Sequence, residues 1–140
     1  MAGIDLQNCK IVRMLDPIDI NGVTATDTEV DTIGWDYLTV IAVTGNVAAN
    51  MTALKLQESD ASGSGEADIS GAAFSNPAGT GGDNTRRVCH IDLRKRKRYI
   101  STVATGGAAA TLLAVVGILS RGEKTPTSAT ERGVDEQLII

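Results

Sequence analysis

Histidine is the side chain best suited to moving protons near neutral pH, and this sequence holds one, His90, two residues before Asp92. A His–carboxylate pair needs an oriented nucleophile, and no Gly-x-Ser-x-Gly elbow offers a serine. Two apart on a strand, His90 and Asp92 share a face, as exposed polar residues commonly do. Cys9 and Cys89 lie far apart and outside any Cys-x-x-Cys or Cys/His spacing, so a zinc site lacks ligands. A disulfide between an early and a middle strand is one reading of them. Two small buried thiols in a chain made in a reducing cytoplasm is the preferred one. The acidic stretch from Glu58 to Asp68 fails as an EF-hand loop: counted from Asp60, Gly71 stands where the closing glutamate belongs. The glycines from Gly79 to Gly82 match neither phosphate-binding fingerprint. The remaining dense feature is a basic run, Arg94, Lys95, Arg96, Lys97 and Arg98. Its chemistry is anion contact with a partner, or simply a solvated tip between two strands.

Composition narrows the classes. The 140 residues suffice for one domain with its own core. A formal charge of −4 argues against a general nucleic-acid binder, which carries a basic excess. Four rings, Trp35, Tyr37, Phe74 and Tyr99, all fall on or beside expected strands. None is left over for a stacking platform. The first residues show neither a basic n-region nor an apolar h-region, so no secretory signal is expected. Residues 99–120 are uncharged and follow the basic run, which is the pattern of a single membrane span. Gly106-Gly107 and interspersed Thr favour two strands instead.

The elements that must position these residues have a period of two. A first strand is expected over 9–15, with Cys9, Ile11 and Leu15 on one face, ended by a turn at Asp16-Pro17. Asn21-Gly22 marks a tight turn. Residues 24–31 suit a polar edge strand or arm. Residues 37–44 are apolar on both faces and read as a central strand covered on two sides, followed by a turn at Gly45-Asn46. Residues 51–58 alternate, with Leu54 and Leu56 pointing one way and Ala53, Lys55 and Gln57 the other. A short strand over 67–74 kinks at Gly71. Residues 77–84 form a loop. Residues 87–93 alternate, with Cys89, Ile91 and Leu93 inward. Gly106-Gly107 signals a hairpin, and 108–119 is a last buried strand. The expectation is all-β: a single-domain β-sandwich, jelly-roll-like, or a β-barrel, with extended terminal arms. Its parts are an N-terminal arm over 1–8, a β domain over 9–120, and an extended C-terminal arm over 121–140. That last arm is polar until Leu138, Ile139 and Ile140. Bulky apolar residues at the end of a polar tail suit docking on a neighbour.

Four segments carry a resemblance: Asp31-Thr32 with Ile33-Gly-Trp-Asp-Tyr-Leu-Thr-Val-Ile41, Leu54-Lys-Leu-Gln-Glu-Ser-Asp60, Asp68-Ile-Ser-Gly-Ala-Ala-Phe74, and Ile91-Asp-Leu-Arg-Lys-Arg-Lys-Arg-Tyr99. In this order they resemble small tailed-bacteriophage head proteins of the decoration, or capsid cement, family, over about half the chain. The resemblance implies a non-enzymatic virion structural protein on the outer capsid surface, synthesised in the bacterial host cytoplasm. It would be a homotrimer bridging subunits of the major capsid protein, with no cofactor, no sequence-specific nucleic acid and no membrane. A tail or head–tail joining component is the alternative, and a small lysis-type membrane protein spanning at 99–120 is a further one. The expected partner contacts are Arg94, Lys95, Arg96, Lys97 and Arg98 with Leu138, Ile139 and Ile140.

Overall fold

Alternating apolar residues with polar neighbours make strands that bury one face, and two such sheets must cover each other. The computed structural model, which describes residues 6–25 and 28–138, shows this arrangement. Among the described residues nine strands run in order: β1 Lys10–Asp19, β2 Thr24–Ala25, β3 Val30–Asp31, β4 Trp35–Val47, β5 Ala53–Ser59, β6 Ala67–Ala73, β7 Arg86–Asp92, β8 Tyr99–Thr105 and β9 Thr111–Gly122. One antiparallel sheet has the order β1-β9-β4-β7. In the other, β8 pairs with β5, β5 with β6, and both short strands β2 and β3 pair with β8. Neither sheet closes on itself, so the fold is a β-sandwich and not a barrel.

The core lies between the sheets. Leu38, Val40 and Ala42 of β4 and Leu113, Val115 and Leu119 of β9 face Leu54 and Leu56 of β5 and Ile100 and Ala104 of β8. Burying each Leu or Ile contributes roughly 1.5–3 kcal/mol. The inward set expected over 87–93 is found: Ile91 of β7 and Leu93, which follows the strand, are buried and Cys89 packs against the core.

Several local expectations change. Asp16-Pro17 does not end β1; the strand continues to Asp19 through two register shifts against β9. Proline is tolerated because β1 is an edge strand and the irregularities excuse a missing ladder donor. The first shift also alters the inward face: Val12 and Met14 pack on the core with Leu15, while Ile11 and Cys9 are only half-buried. Gly45-Asn46 lies inside β4, at a register shift between Thr44 and Val47. β4 is central in its sheet, but its burial alternates. Its inner residues are buried and Val43 on the outer side is 38% exposed, so only one face is covered.

Gly106-Gly107 is not a hairpin. It carries the chain from β8 in one sheet to β9 in the other. A Cβ on Gly106 would stand 1.6 Å from the Ile20 carbonyl oxygen, and one on Gly107 2.3 Å from that of Asn50. The pair is glycine because backbones cross closely there. Residues 99–120 are thereby split between two sheets. No helix among the described residues is long and apolar enough to cross a membrane.

The C-terminal segment also differs from an extended arm. β9 runs to Gly122, and the chain then folds back on β1. Ile11 N–H donates to the Arg132 carbonyl at 2.8 Å. The Arg132 guanidinium donates to the carbonyls of Gln7 at 2.8 Å and Pro126 at 2.9 Å, and to Gln137 Oε1 at 2.8 Å. Gly133, at φ +73°, passes so close to Ile11 that a Cβ would meet its carbonyl oxygen at 2.0 Å. Beyond this clamp Leu138 is 81% exposed. Ile139 and Ile140, and the N-terminal arm before Leu6, lie outside the described residues.

Candidate functional site

The basic run sits where β7 crosses to β8. Leu93–Lys95 forms one turn of 3-10 helix, capped by Asp92, whose carboxylate accepts from Arg94 N–H at 3.1 Å. Asp92 also accepts from the Arg94 guanidinium at 2.9 and 2.7 Å. These bonds hold its carboxyl down at about 2, the side-chain contact with Arg94 being the largest cause. Arg96 reaches Glu58 at 3.4 Å, and Glu58 also accepts Lys97 N–H at 3.0 Å. The Lys97 ammonium is 3.0 Å from Asp60. Arg98 forms a two-pronged pair with Asp31, at 2.8 and 2.7 Å, and this pair holds the Asp31 carboxyl below its usual range. Lys95 alone of the five makes no ion pair among the described residues, and it is exposed.

Most of the run's charge is therefore matched within the chain. The partners are Asp31 of β3, Glu58 of β5, Asp60 just past it, and Asp92 of β7. Two further bonds close the same corner: Thr32 donates through Oγ1 and through its backbone N–H to the Arg98 carbonyl, at 2.7 and 3.0 Å. Tyr37 lies under both Arg94 and Arg121, at 5.2 and 5.7 Å from its centroid. Three of the four resembling segments thus meet at one corner, an electrostatic latch that fastens the β7–β8 crossover to β3 and β5 of the second sheet. Sequence reading singled out the cations and missed their acceptors. The signal was the recurrence of an acid in each of those segments.

The other candidate chemistry is dispersed. His90 Nδ1 lies 3.1 Å from Thr39 Oγ1, while Asp92 is held by Arg94. Glu58, Asp60 and Asp68 each face cations, Asp68 through Lys55 at 2.6 Å. Among the described residues no group of three His, Cys, Asp or Glu side chains could hold a metal ion. Cys9 and Cys89 are not joined by a disulfide. Cys89 lies on β7 and Cys9 just before β1, the opposite edge of that sheet, so three strand spacings of about 4.8 Å alone separate them, beyond bridging range.

A second surface feature was not anticipated. The outer side of the β1-β9-β4-β7 sheet exposes Ile18 at 43%, Leu112 at 46%, Val43 at 38% and Val88 at 49%. Ile18, Val43 and Leu112 line an apolar groove of about 360 Å³ with Pro17 and Gly45.

No protein-family model matches the chain, and no curated protein sequence matches it. Among solved structures, a chain from Bacillus endospore appendages, described as a family of disulfide-linked pili, is similar. It is 14% identical, over 88% of this chain and 98% of that one, with a TM-score of 0.41.

Proposed function

We propose that the chain is a non-enzymatic virion structural protein. In this reading it is a decoration, or cement, protein on the outside of a tailed-phage head that bridges subunits of the major capsid protein. The observation that carries the reading is the open apolar face of the β1-β9-β4-β7 sheet. An exposed apolar patch on a stiff sandwich is an interaction surface, whereas a small-molecule site is concave with convergent polar groups. The order of the four resembling segments supports the decoration-protein reading. Lys95 and Leu138 are the partner contacts left available by the intramolecular pairing, and weak contacts with several capsid subunits add through effective concentration.

The test is co-sedimentation of the purified chain with isolated phage heads, followed by microscopy of the decorated particles. The expected result is saturable binding at regular positions between capsomers. Absence of binding at saturating protein overturns the reading, and density at the neck or tail replaces it with a tail or head–tail joining component.

A further inference from the structure

A sheet edge is a row of unpaired N–H and C=O groups, and natural sandwiches block it. Three edges here are blocked. β1 carries Pro17 and two register shifts. Its free side also gives bonds away: Ile11 N–H to Arg132 O at 2.8 Å, and Met14 O to Thr28 N–H at 2.9 Å. β6 is bent at Gly71, φ +82°, with a register shift against β5. β2 and β3 are two residues each. β7 is different. It runs seven residues, keeps register with β4 throughout, contains no proline, and pairs with no second strand among the described residues.

The direction of its backbone groups follows from one bond. Thr44 N–H donates to Thr85 O at 3.0 Å, which turns Thr44 toward β7. By alternation Ala42, Val40 and Leu38 turn the same way, and so their partners Arg87, Cys89 and Ile91 bond to β4. The N–H and C=O groups of Arg86, Val88 and His90, with the N–H of Asp92, therefore point out of the sheet, while the Asp92 C=O opens the 3-10 turn; all four side chains are exposed.

This edge is complementary to itself. Antiparallel pairing with a second copy, centred on Cys89, sets Val88 opposite His90 and Arg86 opposite Asp92, twice. The two Val88–His90 pairs then exchange both of their bonds, and at each end the Asp92 N–H meets the Arg86 C=O. Opposite charges face each other at both ends, which favours this register. Asp92 already binds Arg94, but a carboxylate has acceptor sites to spare. Moving the centre to Val88 would set Arg86 against His90. Moving it to His90 would set Arg86 against Arg94.

We propose that the β7 edge is an interface for a second copy of this chain, a two-fold antiparallel strand pair that joins two four-stranded sheets into one of eight. Its partner is another copy and its symmetry is isologous. The proposal does not rest on the virion reading, and it replaces the expected three-fold assembly with a pair.

The experiment is mass measurement of the full chain in solution across a concentration series, by sedimentation or light scattering, on wild type, Val88→Pro and Arg86→Glu. The wild type is expected to reach a dimer and stop. Val88→Pro removes an outward N–H without touching a bond to β4, so a folded monomer is expected, with folding checked by circular dichroism. Arg86→Glu sets like charges opposite at both ends and is expected to weaken the dimer about tenfold, less so in high salt. If Val88→Pro does not fold, Arg86→Glu decides alone. A monomer at every concentration, a trimer at saturation, or a dimer whose affinity Arg86→Glu leaves unchanged overturns the proposal.

Discussion

Arg98 and Asp31, 67 residues apart in the chain, meet in a two-pronged ion pair at 2.8 and 2.7 Å. The pair ties β8 to the short strand β3, which has two residues of its own with which to hold register. Arg98 also lies over its neighbour Tyr99, at 5.1 Å from the ring centroid. A basic run read as a surface for partners is thus largely an internal fastening.

Replacing Asp31 with Asn should cost little globally but loosen β3 locally. Both side chains of the pair are close to half exposed, at 46% and 43%, so the expected loss is about 0.5–1 kcal/mol. A double-mutant cycle with Arg98→Gln, by urea unfolding, should give a coupling energy of the same size. Hydrogen exchange should quicken at Val30 and Asp31 before other strands respond. A coupling of zero would remove the latch as a stabilising device.

The latch should also weaken in acid. The Asp92 carboxyl is depressed from 3.8 to about 2 in the folded chain, and Asp31 is depressed in the same direction by Arg98. A depressed folded value means the contribution is complete above the unfolded pKa. It is lost as pH falls through the folded one. Stability measured against pH should therefore decline from about pH 4 toward about pH 2. Asp92→Asn should flatten that decline, and an unchanged profile in this variant would contradict the assignment.

Gly106→Ala should be among the most damaging single changes. The added methyl would stand 1.6 Å from Ile20 O, a backbone atom that cannot step aside. A loss above about 3 kcal/mol is expected, or failure to fold. Alanine at Gly117 also meets neighbours, but they are side chains, Val12 at 2.8 Å being the nearest. It should cost about 1–3 kcal/mol. Equal losses at the two sites would show that the backbone at the sheet crossover can yield.

Two leucines separate core from surface. Leu38 is fully buried and Leu112 is 46% exposed. Leu38→Ala should cost about 2–5 kcal/mol, while Leu112→Ala should stay within about 0.5 kcal/mol. On the proposed function, Leu112→Ala should nevertheless weaken attachment to phage heads. Unchanged co-sedimentation would move the contact away from the apolar groove.

Arg132→Ala should free the C-terminal segment. It removes the donors that hold Gln7, Pro126 and Gln137, and limited proteolysis should then cut between Gly122 and Leu138 without unfolding the sandwich. Resistance equal to wild type would mean that the backbone bond to Ile11 suffices.

Strand identity was open to reading wherever alternation was strong. Spacing alone puts Leu54 and Leu56 on one face and turns Ile91 and Leu93 inward, and all four are buried. Period two is a local property, set by successive side chains pointing to opposite faces, so neighbours suffice to reveal it. The all-β class and the Asn21-Gly22 turn, where Gly22 has φ +66°, were legible for the same reason.

Which strand lies beside which was not. Pro17 reads as a strand end and is tolerated because β1 is an edge, a fact about β9 and the sheet order rather than about residues near Pro17. Gly106-Gly107 reads as a hairpin because a hairpin and a crossover both require glycine; the Ile20 and Asn50 carbonyls decide between them. The cations 94–98 were visible, but Asp31, Glu58 and Asp60 become their acceptors only when β3, β5 and β8 align. Local periodicity determined the strands. Pairing between residues distant in the chain, which no local pattern encodes, decided which charges are matched, which face is open and which edge is free.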